Sequence, residues 1–324
     1  MFCPVSCSII IAGHYQRTLE LVIIEKLLPA WDLGAADVPP ESETMRHGTK
    51  CEAHSPTLQR ERRRALSVRR IHMASKPMTS PSPFFHYNSR FDAQETIRRH
   101  AVDGLQPTPG LLTNFLGVLI DPKFLPQILC DRAGTVEGIP IPANWHADIA
   151  EWAATLRAVE LAEETFTVVE LGCGWGCWLN NSGVAARARG LQVRLIGIEG
   201  DQGHIQFSRE ACRTNDFHDE QVTLHRGIAA GTSGVALFPR QAQSGLEWGL
   251  EPIFGASTAE QAQAVHRGTH DALPMIALGD IVRAHPRIDL LHIDIQGGEA
   301  DLIAACLQPL KQCVSYIVVG THSR

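Results

Sequence analysis

The stretch FTVVELGCGWGC at residues 166–177 constrains the fold more than any other part of the chain. It begins with an apolar run rich in β-branched residues, which is typical of a buried strand. Glu170 closes that strand, and three glycines follow at alternate positions, Gly172, Gly174 and Gly176. Residues 178–189 are then compatible with a helix. The pattern predicts a strand, a tight glycine turn and a helix N-terminus, an arrangement that commonly binds nucleotide-like ligands.

The spacing of the glycines separates two classes of ligand. A dinucleotide fingerprint has the form G-x-G-x-x-G, and its third glycine would fall at Cys177. The chain instead carries an acid, Glu170, followed by G-x-G-x-G. A carboxylate there would repel a pyrophosphate but attract the cationic amino and sulfonium groups of S-adenosylmethionine (SAM). The turn therefore favours SAM over NAD, and a glycine turn without any ligand is the alternative.

Composition narrows the range of functions. The 324 residues carry a formal net charge of -6, which gives no general attraction for nucleic acid. Nine cysteines occur without CxxC pairs, and Cys173 and Cys177 lack the further neighbours that a zinc site needs. Reduced thiols in the cytoplasm are the simplest interpretation. Charged residues interrupt the apolar runs, so we expect neither a membrane span nor a secretory signal.

The chain divides into three segments. Residues 1–83 contain proline-rich patches and an arginine cluster at positions 60–70, so we expect a low-order N-terminal extension with one marginal helix over residues 18–28. The cluster fits a solvated tail, with a nucleic-acid patch or a targeting segment as alternatives. The shift in composition also suggests that natural translation starts at Met73 or Met78. Residues 84–143 form a helical or irregular segment, and residues 144–324 form the main domain.

The main domain alternates strands and helices. An amphipathic helix over residues 144–163, capped by Asn144, precedes the glycine stretch. Further strands are predicted at residues 192–199, 221–225, 288–295 and 315–320. The alternation predicts an α/β fold with a doubly wound, mostly parallel sheet, whose ligands bind outside the carboxyl ends of the strands. The side chains placed at those ends are Glu170, Glu199, Asp294 and His322.

One segment interrupts this alternation. Residues 241–271 are polar, contain several glycines and carry two large aromatic side chains, Trp248 and Phe254. The segment follows an extended strand predicted at residues 234–239. It fits a lid or a wall of the substrate site, and equally a plain surface excursion.

Together these residues resemble the FkbM family of SAM-dependent methyltransferases over about residues 166–322. The resemblance is carried by ELGCGWG at 170–176, EGD at 199–201 and, most specifically, IDLLHIDIQGGE at 288–299. It implies a Rossmann-like class I methyltransferase fold with SAM as the cofactor. The residues that it assigns to the cofactor are Glu170, Gly172, Cys173, Gly174, Gly176, Glu199, Gly200, Ile228 and Asp294.

The chain departs from the family in two respects. His292 stands where the family usually has Lys, Gln296 where it has an acid, and Gly200 where it often has Pro. Class I methyltransferases also continue after the fifth strand with a helix and an antiparallel hairpin, for which this chain has no room. Residues 316–319 would then form an exposed apolar edge. We expect low stability, or cover by a second copy in a homo-oligomer or by the N-terminal extension.

The resemblance implies methyl transfer to a hydroxyl oxygen of a small molecule or sugar. The protein would position the reactants and supply a base for the acceptor proton. The candidates for the base are, in order, His322, Asp294 and His146, and a frayed terminal residue is the alternative for His322. His292 is expected to pack in the sheet as a satisfied core histidine.

Two other functions are weighed against this one. The first is a non-catalytic protein with a SAM-binding fold. The second is methylation of nucleic acid, which is disfavoured because no Asn/Asp-Pro-Pro-aromatic loop follows the fourth strand.

Overall fold

The computed structural model describes residues 7–15, 18–25, 89–296 and 298–322, with side chains for residues 89–296 and 298–320. The arginine cluster and the proposed start sites Met73 and Met78 lie outside the described residues. Within the described ranges, every helix is too short or too polar to cross a lipid bilayer.

The first part of the described chain contains short elements around one long helix. In chain order these are β1 (Cys7–Tyr15), β2 (Thr18–Glu25), α1 (Ala93–His100), β3 (Leu112–Thr113), β4 (Leu119–Ile120), α2 (Pro126–Leu129), β5 (Thr135–Val136) and α3 (Ile149–Leu161). β3 pairs with both β4 and β5 in a small sheet.

The predicted amphipathic helix is α3, but it begins at Ile149 rather than at Asn144. Its N-cap is Asp148, whose carboxylate accepts hydrogen bonds from backbone N–H groups of the first turn. The Asn144 side chain instead accepts hydrogen bonds from the backbone of His146 and Ala147, in a turn ahead of the helix. The predicted start was wrong because Asn and Asp are equally good N-caps, and only the tertiary structure chooses between them.

The second part of the chain builds the main sheet. Its elements are β6 (Thr165–Leu171), α4 (Cys177–Ala188), β7 (Gln192–Glu199), α5 (Gln202–Thr214), β8 (Val222–Arg226), β9 (Ile228–Ala230), β10 (Gly234–Pro239), α6 (Thr258–His266), β11 (His270–Ala277), α7 (Leu278–Arg283), β12 (Leu290–Ile293), α8 (Glu299–Cys313) and β13 (Tyr316–His322). The strand order is β2-β1-β13-β12-β6-β7-β8. Strands β6, β7, β8, β12 and β13 run parallel. This confirms the predicted α/β fold with a doubly wound parallel sheet.

Apolar side chains cover both faces of the sheet. Along β6, Phe166 and Val168 belong to one buried cluster, and Val169 and Leu171 belong to another. Such an alternation is expected for a strand that is buried on both faces. The first cluster also contains Trp152 of α3, which packs edge-on against Phe115 and Trp178 at 5.0 and 4.9 Å between ring centroids. It therefore joins the segment before residue 144 to the sheet.

Residues of the N-terminal extension continue the sheet beyond β13. β1 and β2 form an antiparallel hairpin, and β1 pairs antiparallel with β13 from Cys7↔His322 to Gly13↔Tyr316. The predicted exposed edge at residues 316–319 is therefore covered by residues of the N-terminal extension, which was one of the expected alternatives. The marginal helix over residues 18–28 is wrong, because residues 18–25 form β2. Their sequence, TLELVIIE, is rich in residues that favour strands.

A second, three-stranded sheet of β9, β10 and β11 stands beside the main one. β10 pairs antiparallel with β11, and β11 pairs parallel with β9. The predicted insertion at residues 241–271 leaves this sheet after β10, contains α6 and returns in β11. Ile253 within it forms an isolated antiparallel bridge with Leu237 of β10. The insertion is therefore attached to the sheet at both ends and near its middle.

Asn215, directly after α5, ties the segment before the main domain to the helices. Its side-chain oxygen accepts a hydrogen bond from the backbone N–H of Leu119 at 2.8 Å. Its amide nitrogen donates to the carbonyl oxygens of Leu119 and Ala211 at 3.0 and 2.9 Å. Asn215 itself is buried.

We predict that Asn215→Ala lowers the free energy of unfolding by about 2–4 kcal/mol, because the backbone N–H and carbonyl of Leu119 lose their partner. Chemical denaturation followed by circular dichroism measures this quantity. Gln243→Ala removes an exposed polar side chain and serves as the control, with an expected change below about 0.5 kcal/mol. Equal effects of the two substitutions would contradict the prediction.

Candidate functional site

The glycine turn lies between β6 and α4, at the carboxyl end of the parallel sheet. The φ angles of Gly172, Gly174 and Gly176 are 71°, 53° and 77°, in the left-handed region that favours glycine. A Cβ at Gly172 would lie 2.1 Å from the backbone oxygen of Asp294, just after the neighbouring strand β12. The turn therefore packs against β12 only because no side chain stands there.

Glu170 is buried at the end of β6 and holds the start of α4. Its carboxylate accepts hydrogen bonds from the backbone N–H groups of Trp178 and Leu179 at 3.2 and 2.9 Å. These groups belong to the first helical turn, where N–H groups lack partners inside the helix. Burial raises the pKa of Glu170 to about 7, although nearby His292 and the two hydrogen bonds act in the opposite direction. Glu170 therefore supplies the hydrogen-bond acceptor for the first turn of α4, although its burial disfavours the ionised form.

Glu199 closes β7 and joins the glycine turn to the next helix. One carboxylate oxygen accepts a hydrogen bond from the Gly174 N–H at 2.9 Å, and the other accepts one from the Asp201 N–H at 2.8 Å. Asp201 in turn caps α5. Each oxygen of Glu199 keeps a second lone pair, so the carboxylate can still accept hydrogen bonds from a ligand.

A cavity of about 920 Å³ opens at this end of the sheet. This volume is typical of a small-molecule site. All but one of the residues predicted to contact the cofactor line it: Glu170, Gly172, Cys173, Gly174, Glu199, Gly200, Ile228 and Asp294. The exception is Gly176, where a Cβ would lie 2.6 Å from the hydroxyl of Ser208 in α5. Gly176 therefore allows close packing between the start of α4 and α5, and its assignment to the cofactor stays a prediction.

Residues 241–254, which we call the strap, are anchored beside Glu199. The side chains of Gln241 and Ser244 both donate hydrogen bonds to the carboxylate of Asp201, at 3.1 and 3.0 Å. The Ser244 hydroxyl also accepts a hydrogen bond from the Gly203 N–H at 2.7 Å. One end of the strap is thus attached to the start of α5.

The middle of the strap lies over the glycine turn. The ring of Trp248 packs on Gly174, where a Cβ would lie 2.4 Å from it, and on His204 with 4.0 Å between ring centroids. A Cβ at Gly249 would lie 3.4 Å from the side-chain oxygen of Gln296, on the opposite side of the cleft. The sequence left open whether this segment is a lid, a wall or a surface excursion, and the structure makes it a wall of the cavity.

Three histidines outside the predicted cofactor set also line the cavity, namely His146, His204 and His292. His292 of β12 is buried, with Nε2 at 3.4 Å from the Glu151 carboxylate, while Nδ1 has no hydrogen-bond partner among the described residues. The expected packing of His292 in the core is therefore confirmed, but only one of its two ring nitrogens has a hydrogen-bond partner. His146 contacts the Cys177 thiol, and burial lowers the pKa of His146 to about 4. Burial also raises the pKa of Cys177 well above its usual range, so this pair is neutral near pH 7.

The register between β12 and β6 explains why His292 lies at the cavity. In the parallel pairing of β12 with β6, His292 stands opposite Glu170. Opposite residues in a sheet point to the same face, so a polar residue beside Glu170 is brought to the same place. The sequence pattern alone does not reveal this register, because both strands are continuously apolar around these positions.

The first two candidates for the base, His322 and Asp294, lie at the carboxyl ends of neighbouring strands of the sheet. Asp294 lines the cavity, and its carboxylate accepts a hydrogen bond from the Gln296 amide at 3.3 Å. His322 ends β13, the strand beside β12, but its side chain lies outside the described ones. In the part of the chain that the structure describes, no cluster of three His, Cys, Asp or Glu side chains could hold a metal ion.

The chain is similar to a protein of Jannaschia sp. (strain CCS1) named "Putative methyltransferase". The two are 45% identical over 228 residues, which cover 70% of this chain and 81% of that protein. A crystal structure of a "putative transferase" from Pyrococcus horikoshii matches 26% of this chain and 36% of that one, with 18% identity and a TM-score of 0.19. A match of that size carries no argument about fold or function. No protein-family model matches the chain.

We predict that Gly172→Ala destabilises the protein more than Gly134→Ala. Both glycines have a φ of 71°, so both substitutions cost about 1–2 kcal/mol for the left-handed backbone. Only at Gly172 does the new methyl group meet another atom, since nothing lies within 4 Å at Gly134. Denaturant titration should show at least about 2 kcal/mol of additional loss for Gly172→Ala. A difference near zero would mean that the turn does not pack on β12 as described.

The raised pKa of Glu170 predicts a pH dependence with a definite sign. A carboxyl that binds a proton more tightly in the folded state stabilises the protein below its unfolded pKa of 4.5 and loses that contribution as the pH rises to about 7. Across this interval the free energy of unfolding of the wild type should fall relative to Glu170→Gln, by on the order of 3 kcal/mol.

Denaturation of both proteins at a series of pH values between about 4.5 and 7.5 measures this difference. The titration of His146 contributes to both curves and cancels in the difference. Glu163→Gln, at an exposed position, is the control and should run parallel to the wild type. Parallel curves for the wild type and Glu170→Gln would refute the raised pKa.

Proposed function

This chain belongs to the same methyltransferase family as the Jannaschia protein, and we propose that it transfers a methyl group from SAM to a hydroxyl of a small molecule or sugar. One observation carries the proposal: the glycine turn and the carboxylates of Glu170, Glu199 and Asp294 converge on one cavity of about 920 Å³. When bound, SAM supplies a methyl group on a sulfonium, whose sulfur departs as a neutral thioether.

The residues of the cavity suit a cationic ligand. Because Gly172 and Gly174 lack side chains, the turn packs closely against Asp294 and Trp248 at the cavity. We assign the ribose hydroxyls to Glu199, because its carboxylate ends the second parallel strand beyond the turn and keeps free lone pairs. Gly200 and Ile228 would flank the adenine. Carboxylates near the turn favour the amino group and sulfonium of SAM, whereas they would oppose the pyrophosphate of NAD.

A base beside the cavity would take the proton from the acceptor hydroxyl. We propose His322 first and Asp294 second for this role. Asp294 follows β12, and His322 ends the adjacent parallel strand β13. A Cβ at Gly320 of β13 would lie 3.3 Å from the Asp294 carboxyl carbon. The two residues therefore lie at the carboxyl ends of neighbouring strands, which supports the proposal that they act at one site.

We also propose that the protein is of the FkbM type and acts in the cytoplasm. The run at residues 288–299, which carries the resemblance most specifically, spans β12 and the start of α8 beside the cavity. The six cysteines whose side chains the structure describes are free thiols, which suits a reducing compartment. A homo-oligomer stays a prediction, and it would now involve β2 as the outer strand of the sheet. Neither nucleic acid nor a membrane is part of the proposal.

SAM binding tests the proposal. We expect isothermal titration calorimetry to show binding by the wild type and an affinity at least about 100-fold lower for Gly174→Arg, because a side chain there enters the crowded space between the turn and Trp248. Gly104→Arg is a matched control, since Gly104 has a φ of 70° and nothing within 4 Å. Equal binding of SAM by the wild type and Gly174→Arg would refute the proposed cofactor site.

A further inference from the structure

The charges around the cavity all have one sign. No Lys or Arg lines it among the residues whose side chains are described, 89–296 and 298–320. The acids that line it are Glu170, Glu199, Asp201, Glu247, Glu251, Asp294 and Asp301. In a cleft that is partly shielded from water, charges of one sign act together on an incoming ligand. The cavity therefore repels anions and attracts cations.

These acids have different positions. Glu170, Glu199 and Asp201 are buried in the floor of the cavity, where their carboxylates accept hydrogen bonds from backbone N–H groups. Glu247 and Asp301 are exposed to solvent, on the strap and on α8. The buried acids face the proposed cofactor, so the exposed pair is available to a second ligand that enters from the mouth.

The strap contributes an apolar surface to the same mouth. Trp248, Ile253 and Phe254 line the cavity although 42%, 47% and 51% of their respective surfaces are exposed. Large apolar side chains gathered at a cleft mark a binding surface more often than a packing defect. The backbone of Ile253 exchanges two hydrogen bonds with Leu237, at 3.0 and 2.8 Å. The apolar wall is therefore held in place by β10.

We infer that the methyl acceptor is a small hydroxylated molecule with an aromatic or similarly apolar ring and no anionic group. Its ring would lie against Ile253 and Phe254, and a positively charged substituent would face Glu247 and Asp301. Like-charge repulsion would weaken the binding of phosphorylated and carboxylated acceptors. The inference rests on the proposed methyl transfer, because it concerns the second substrate of the same cavity.

Three probes that share a phenol ring and differ in the charge of their substituent test whether charge determines binding. They are tyramine, which carries an ammonium group, the neutral 4-hydroxyphenylethanol, and 4-hydroxyphenylacetate, which carries a carboxylate. Calorimetric titration into full-length protein saturated with S-adenosylhomocysteine should show binding of the first two. The carboxylate should bind at least about tenfold more weakly than the neutral probe at low salt, and the gap should narrow at high salt.

Variants then identify the source of the selectivity. The double substitution Glu247→Gln with Asp301→Asn should reduce the preference for tyramine over 4-hydroxyphenylacetate at least about threefold, while the exposed control Glu163→Gln leaves it unchanged. Phe254→Ala should weaken all three probes alike, because it removes ring contact without changing charge.

Two results would overturn the inference: binding of the carboxylate as tightly as the neutral probe, or binding of none of the three by protein that does hold S-adenosylhomocysteine. Failure to bind S-adenosylhomocysteine itself would instead count against the proposed function. The two failures are distinguished in the same titration series, since the cofactor product is added first.

Discussion

The contact between Gly172 and the backbone oxygen of Asp294 is the constraint on which the site depends. Strands β6 and β12 lie side by side, and the turn after one presses on the residue after the other, so that a Cβ would come within 2.1 Å. Because the turn is held there, the N–H groups at the start of α4 reach Glu170 and the Gly174 N–H reaches Glu199. One steric condition thus arranges the acids around the cavity.

This arrangement keeps buried carboxylates in place without a cation among the described lining residues. Burial makes the ionised form of Glu170 unfavourable, and backbone N–H groups offset only part of that effect. A cationic ligand would favour the ionised form of Glu170. Binding of the proposed cofactor is therefore expected to stabilise the protein. Local features that reduce stability are expected at functional sites, and Glu170 is such a feature.

Local sequence patterns were sufficient to predict the parallel strands and the glycine turn. Apolar runs and strand-end acids are short-range features, and the structure confirms the strands they predicted as β6, β7 and β12, with the closely spaced glycines in a turn after β6. The start of α3 was misplaced because two capping residues compete locally. Residues 18–25 favour a strand locally, but the hairpin of β1 and β2 was missed because its pairing with β13 joins two parts of the chain that are distant in sequence.

The sequence by itself determined the fold class and the acids that end the strands, because both depend on periodicity and on residue type at strand termini. Only the tertiary structure decided which side chains share the cavity. It brought in the strap with Trp248 and Phe254, placed His292 opposite Glu170, and turned Gly176 toward Ser208. Those outcomes depend on strand register and on contacts between distant segments, which no short stretch of sequence specifies.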